Sequence, residues 1–200
     1  MRRLLVVALL SGLACRSIPK AELSGALSGA PLPAAVPRPG FVLTTTAGDT
    51  FDFGARTRGR LTLLFFGYTH CPDVCPATMQ SIATVTNRFT SDERQQLDVV
   101  FVTTDPDRDT ATELGRWLSR FDKAFIGLTG SIEAVEAAQR AAGVATAIRS
   151  KDRAGYTVSH AAQVLVYSPD DSGHIAYPFG TRQSEWAADL PKLMERWRGR

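Results

Sequence analysis

Leu61 to Phe66 reads LTLLFF and Leu97 to Thr104 reads LDVVFVTT, two short apolar runs with no alternating polar face. Runs of this kind suit strands covered on both sides, the condition inside a parallel sheet. Between them, Pro76 to Phe89 sets Met79, Ile82, Ala83 and Val85 at helical spacing. The three segments predict a β-α-β unit with a right-handed crossover. Upstream, FVLTTTAGDTFDF (41–53) alternates apolar and polar residues around Ala47-Gly48-Asp49, the pattern of a β-hairpin.

Downstream, Thr110-x-x-Glu113 has the form of a capping box and opens a helix running to about Phe121. AFIGLTG is a third short strand, and Ser131 caps a helix to about Ala142 that Gly143 ends. AAQVLVYSPDDSGHIAYPF predicts a strand, a turn and a return strand. Ser184 to Arg198 is a closing helix whose Trp186, Leu190, Leu193 and Trp197 repeat at helical spacing as core residues. This order describes a single α/β domain over residues 41–200. It has a mixed central sheet flanked by helices and an N-terminal β-hairpin, and is thioredoxin-like with an extra β-α insertion.

The first forty residues break this pattern. Arg2 and Arg3 precede the apolar LLVVALL, and Gly12-Leu13-Ala14 leads into Cys15, the layout of an export signal over residues 1–14. The apolar stretch is too short to span a bilayer alone. SGLAC also approximates a bacterial lipobox, which makes Cys15 the candidate lipidation site; ordinary cleavage after Ala14 or an uncleaved anchor are the alternatives. Residues 15–40, rich in Ala, Ser, Gly and Pro, read as a tether. The expectation is an exported, membrane-anchored protein facing the bacterial periplasm or the cell exterior.

Charge narrows the function classes. The 23 basic and 20 acidic residues give +3, and loss of Arg2 and Arg3 with a leader leaves +1. No basic run or nucleic-acid motif appears, so nucleic acid is not an expected partner. Nor does the chain carry paired carboxylates, a phosphate-cradling loop or a Ser-His-Asp arrangement.

Three cysteines are an odd count for an exported protein, and lipid on Cys15 leaves the isolated pair Cys71 and Cys75 in GYTHCPDVCPATM. Cys71 falls just after a buried strand, at the start of a helix that Pro72 and Pro76 help to begin. Backbone N–H groups and the helix dipole lower a thiol pKa there, and a strand-loop-helix corner places the sulfur at the surface. A structural staple gains little from so short a loop. A structural zinc site needs four ligands. The pair alone leaves open a thiol-disulfide couple or a copper site. His160, at the mouth of the strand predicted from AAQVLVY, faces the cysteine corner in a thioredoxin-type fold, where related reductases place a cis-proline. Two thiolates and an imidazole suit Cu(I), and with a further ligand Cu(II), at one copper per chain.

GYTHCPDVCPATM, VTTDPDRDT, IGLTG, YTVSHAAQVLVYSPD and YPFG occur in an order and spacing that resemble the Sco/SenC family, thioredoxin-fold copper-binding assembly factors for cytochrome c oxidase. The similarity covers roughly residues 41–198. It implies the copper ligands Cys71, Cys75 and His160, and delivery of copper to the dicopper A centre of oxidase subunit II, reduction of that centre's cysteines through a Cys71–Cys75 redox disulfide, or both. A copper donor and a thiol reductant are then further partners. A thiol-based redox sensor uses the same couple. Ser159 stands where family members often have aspartate, and Ala161 where a small hydroxyl residue is frequent. His70 and Asp73 are candidates for supporting the site, as is Asp105 for supporting it or docking a partner. An Asp-Pro turn braced by Arg108 is the other reading of Asp105. His174 reads as a surface residue.

Overall fold

The computed structural model describes residues 27–152 and 155–197; Cys15 and the leader lie outside them. The body is built on an eight-stranded sheet. At its centre lie β4 (Leu61–Gly67), β5 (Leu97–Thr103) and β6 (Ile126–Thr129), all parallel. Beyond β6 stand β2 (Val42–Thr45) and β3 (Thr50–Asp52), the expected hairpin. On the other side, β9 (Val164–Tyr167) runs antiparallel to β4 and is followed outward by β10 (Ser172–Tyr177). The last strand is β1 (Ala30–Pro37), paired antiparallel to β10.

Every residue of β4 is buried because both faces of the sheet are covered. Leu61, Leu63 and Phe65 point to one side, among Met79 and Ile82 of α2 (Val74–Thr86) and Trp186, Leu190 and Leu193 of α6 (Gln183–Trp197). Leu64 and Phe66 point to the other, among Val135 and Ala138 of α5 (Ile132–Ala141) and the Phe41–Phe53 stack. Full burial of each such side chain contributes ~1.5–3 kcal/mol, so this two-sided strand is the thermodynamic centre of the fold. The Thr110 hydroxyl caps α4 (Ala111–Leu118) by accepting from Glu113 N–H, while the Glu113 carboxylate pairs with Arg116. Ser131 caps α5 in the same way, and Gly143, at φ 70°, ends it as expected. Two short helices, α1 (Phe53–Arg56) and α3 (Ser91–Gln95), complete the helical set among the described residues.

Residues 30–37 correct the reading of 15–40 as a tether throughout. Their composition hides a strand, because an edge strand uses backbone pairing and tolerates proline where no N–H is required. Arg38 fixes the end of this strand. Its side chain is 3% exposed, and its guanidinium donates to Asp171, Thr57, Thr62 and the carbonyls of Arg60 and Ser168 at 2.8–3.0 Å. At the other end, Ser28 N–H donates to the buried Asp189 carboxylate at 2.6 Å. The body therefore begins before Ala30.

A second sheet, β7 (Ile148–Asp152) paired antiparallel with β8 (Gly155–Ser159), stands apart from the first. It was unexpected because IRSKD has no apolar alternation to announce it. His160 follows β8 directly.

Candidate metal and thiol site

The site forms where β4 ends. Gly67, its last residue, leaves no room for a side chain: a Cβ there would lie 2.8 Å from Cys75 Sγ and 2.9 Å from the Phe101 ring. Gly67→Ala is expected to displace the sulfur and to cost about 1–3 kcal/mol of stability through overpacking. Chemical denaturation of the reduced protein measures this; wild-type stability with unchanged thiol reactivity would contradict the close approach.

After the turn at Thr69 and His70, α2 begins under an Asp73 cap whose carboxylate accepts from Val74 N–H at 2.6 Å. Asp73 thus serves the helix start, where an acid is also favoured by the dipole. The first turn brings the cysteines together: Cys71 Sγ accepts from Cys75 N–H at 3.3 Å. Cys75 Sγ lies 3.5 Å from His160 Nε2, and the ligand atoms of Cys71, Cys75 and His160 all fall within 4.8 Å of one another. The sulfurs are unbonded.

The surface exposure expected for the Cys71 sulfur is corrected. Cys71 is 8% and Cys75 0% exposed, because the loop folds inward and both join the apolar cluster beneath α2. Burial and proximity split the two thiols. Cys71 is held far below the ordinary thiol range by a hydrogen bond from Cys75, with His160 and the N–H groups of Cys75 and Asp73 adding to it and burial opposing. Cys75 is pushed up by donating that bond and by its burial. The pair is thereby biased toward thiolate on Cys71 and a proton on Cys75.

His160 is half-buried and edge-on to Tyr68 and Phe65, with ring centroids 5.6 and 6.0 Å away. Its Nδ1 lies 3.0 Å from the Ala161 carbonyl. That acceptor assigns the proton to Nδ1 and leaves the Nε2 lone pair toward the sulfurs. A backbone carbonyl therefore does the orienting that a carboxylate at position 159 would otherwise offer. Two sulfurs and one imidazole nitrogen are a soft donor set that fits copper.

The other candidates fall outside this trio. His70 is exposed, with Nδ1 3.1 Å from Thr69 Oγ1 and 3.7 Å from Asp109 Oδ1. Asp105 is fully buried and engaged by Arg108, Arg149 and the Tyr156 hydroxyl, so it braces its own turn through Arg108 and presents no free carboxylate for docking. His174 is also corrected: it is 9% exposed, bonded to Asp170 at 2.9 Å and stacked on Trp197, because α6 covers that strand. Asp109 escaped the sequence reading. It is fully buried and accepts from Thr69 N–H, the Thr69 hydroxyl and the Thr103 hydroxyl at 2.6–2.9 Å, which ties the cysteine loop to β5. The last aspartate of DPDRD is the only signal for it, and spacing alone does not separate it from its two neighbours.

The family model described as SCO1/SenC matches residues 31–195. A putative copper-binding protein of Stutzerimonas stutzeri is 37% identical over 123 residues, 60% of either chain. The chain spans about half the length of the curated relatives it matches. Among solved structures, apo Sco1 of Thermus thermophilus superposes with a TM-score of 0.74 at 30% identity, covering 84% of this chain and 96% of that one. Copper-bound ScoI of Bradyrhizobium japonicum gives 0.68 at 29% identity, covering 82% and 98%. The mixed, helix-flanked sheet is the thioredoxin-type fold of these proteins. Among the described residues no helix is long and apolar enough to cross a membrane.

Proposed function

From the premise that the chain belongs to the SCO1/SenC family, we propose that it is a copper metallochaperone that carries one copper ion per chain to the dicopper A centre of cytochrome c oxidase subunit II during assembly. The observation that carries this reading is the convergence of Cys71, Cys75 and His160 ligand atoms within 4.8 Å. Copper is cargo here, so a three-ligand site is apt: it holds a soft ion with fewer donors than a closed four-ligand site would use. Export under a leader and lipid on Cys15 would set the domain on the membrane, facing the periplasm or cell exterior where such a centre is assembled.

The residues divide the work. Cys71 offers a ready thiolate, Cys75 gives up its proton as copper arrives, and His160 supplies Nε2. His160→Ala is expected to weaken Cu(II) binding far more than Cu(I), because two thiolates still hold the softer ion. Parallel titrations with the two oxidation states check this, and equal binding of both by the variant would remove His160 from the site.

A second reading has its own observation. The depressed Cys71 thiol beside a protonated Cys75 is the asymmetry of a thiol-disulfide couple, which would instead reduce the cysteines of the receiving centre or sense redox state. The deciding experiment loads reduced protein with Cu(I) anaerobically and mixes it with apo dicopper A domain. Copper passing across supports the chaperone. If copper-free reduced protein supports full assembly with copper from another carrier, the reductase reading takes its place.

A further inference from the structure

β7 and β8 share no ladder with the eight-stranded sheet, yet β8 ends at Ser159 and delivers His160 to the sulfurs. What holds this hairpin to the body is largely a polar cluster on the turn after β5. The Tyr156 hydroxyl donates to Asp105 at 2.8 Å. Arg149 donates to Asp105 at 3.3 Å and to Asp107 at 2.7 Å. Arg108 pairs with Asp105, donates to the Tyr156 carbonyl at 3.2 Å, and lies 3.9 Å over the Tyr156 ring. Arg108 is also 5.9 Å from the centre of the Tyr68 ring, which itself packs edge-on to His160. Val158, 5% exposed, and the Tyr156 ring add apolar anchorage to the core.

We propose that buried Asp105, through the Tyr156 hydroxyl and the two arginines, is a positioning residue that sets His160 against the sulfurs and so sets the grip on Cu(II) relative to Cu(I). The inference rests on His160 being a copper ligand. A buried carboxylate satisfied by three donors is rigid, since releasing any one strands a polar group away from water. The hairpin therefore has one favoured seat, and the imidazole carried at its end inherits that geometry. Asp105 touches neither copper nor sulfur; it acts through Tyr156 and β8.

Tyr156→Phe and Asp105→Asn test this, each with thermal denaturation to confirm folding. In the reduced, metal-free protein, the nuclear Overhauser effect between the His160 and Tyr68 rings is expected to weaken in both variants. Cu(II) affinity should fall ~10-fold or more, as for loss of an outer-shell partner. Cu(I) affinity should stay within about twofold, because the thiolates are untouched. The imidazole-nitrogen splitting in the Cu(II) electron paramagnetic resonance spectrum should shrink. Added to His160→Ala, Tyr156→Phe should cost nothing more. An equal loss in that background, or an unchanged ring contact with unchanged Cu(II) binding, overturns the inference. If the ring contact weakens while His160→Ala leaves Cu(II) affinity intact, positioning stands and the ligand assignment falls.

Discussion

Cys71→Ser and Cys75→Ser are each expected to abolish tight copper binding, with a loss exceeding the ~10–100-fold that removing an outer-shell partner costs. A serine hydroxyl is a hard ligand and stays protonated near neutral pH, so each change removes a soft donor. The remaining sulfur and His160 lie 3.5 Å apart in Cys71→Ser, too few donors for a three-coordinate site. Losing Cys75 carries a second effect, because Cys71 is held as a thiolate chiefly by the bond from Cys75. With one thiolate preformed and one thiol protonated, copper loading at neutral pH releases the Cys75 proton. Apparent Cu(I) affinity should therefore tighten about tenfold for each unit of rising pH through the neutral range, and weaken as pH falls. Competition titration against a Cu(I) chelator at several pH values measures both effects. A serine variant that still competes like the wild type, or an affinity flat in pH, would contradict this division of labour.

The parts of the fold that show in the sequence are those with a one-dimensional reason to exist. LTLLFF is uniformly apolar because β4 is covered on both faces, and Thr110 and Ser131 are where they must be to cap α4 and α5. β1 does not show because an edge strand asks only for backbone pairing, which Pro31 and Pro33 disguise as linker. β7 and β8 do not show because their anchorage is ionic and non-local, joining Arg149 to Asp105 and Asp107 across more than forty residues. The site divides in the same way. Cys71 and Cys75 announce themselves by type and spacing, and His160 by its place before a core strand. Gly67, Tyr68 and Asp109 act through distance alone, and a glycine, a tyrosine or one of three aspartates has no chemical signature until the chain is folded.

Oxidation is expected to switch copper binding off, and the structure says which sulfur a reductant meets. Closing Cys71 to Cys75 gives two electrons to an oxidant and releases the one proton that Cys75 holds, and it leaves no thiolate for copper. Two arguments compete over reopening. Leaving-group chemistry favours attack on Cys75, since the depressed Cys71 is the better departing thiolate. Access favours attack on Cys71, because Cys75 is fully enclosed where α2 meets the end of β4 while Cys71 retains 8% of its surface. For a protein reductant access wins, as a bulky thiolate must reach the sulfur in line with the bond. The mixed disulfide should then form on Cys71, and the freed Cys75 should take up a proton promptly, given its raised pKa. Cys75→Ser, which cannot resolve that intermediate, is expected to trap a reductant thiol on Cys71, whereas Cys71→Ser should trap little on its buried partner. Intact-mass analysis after mixing each variant with the symmetrical disulfide of a bulky monothiol, whose displaced thiol diffuses away, reads the outcome directly. Preferential trapping on Cys75 would place leaving-group chemistry above access. Copper binding that persists after complete oxidation would mean that the two sulfurs are not the shared elements of both activities.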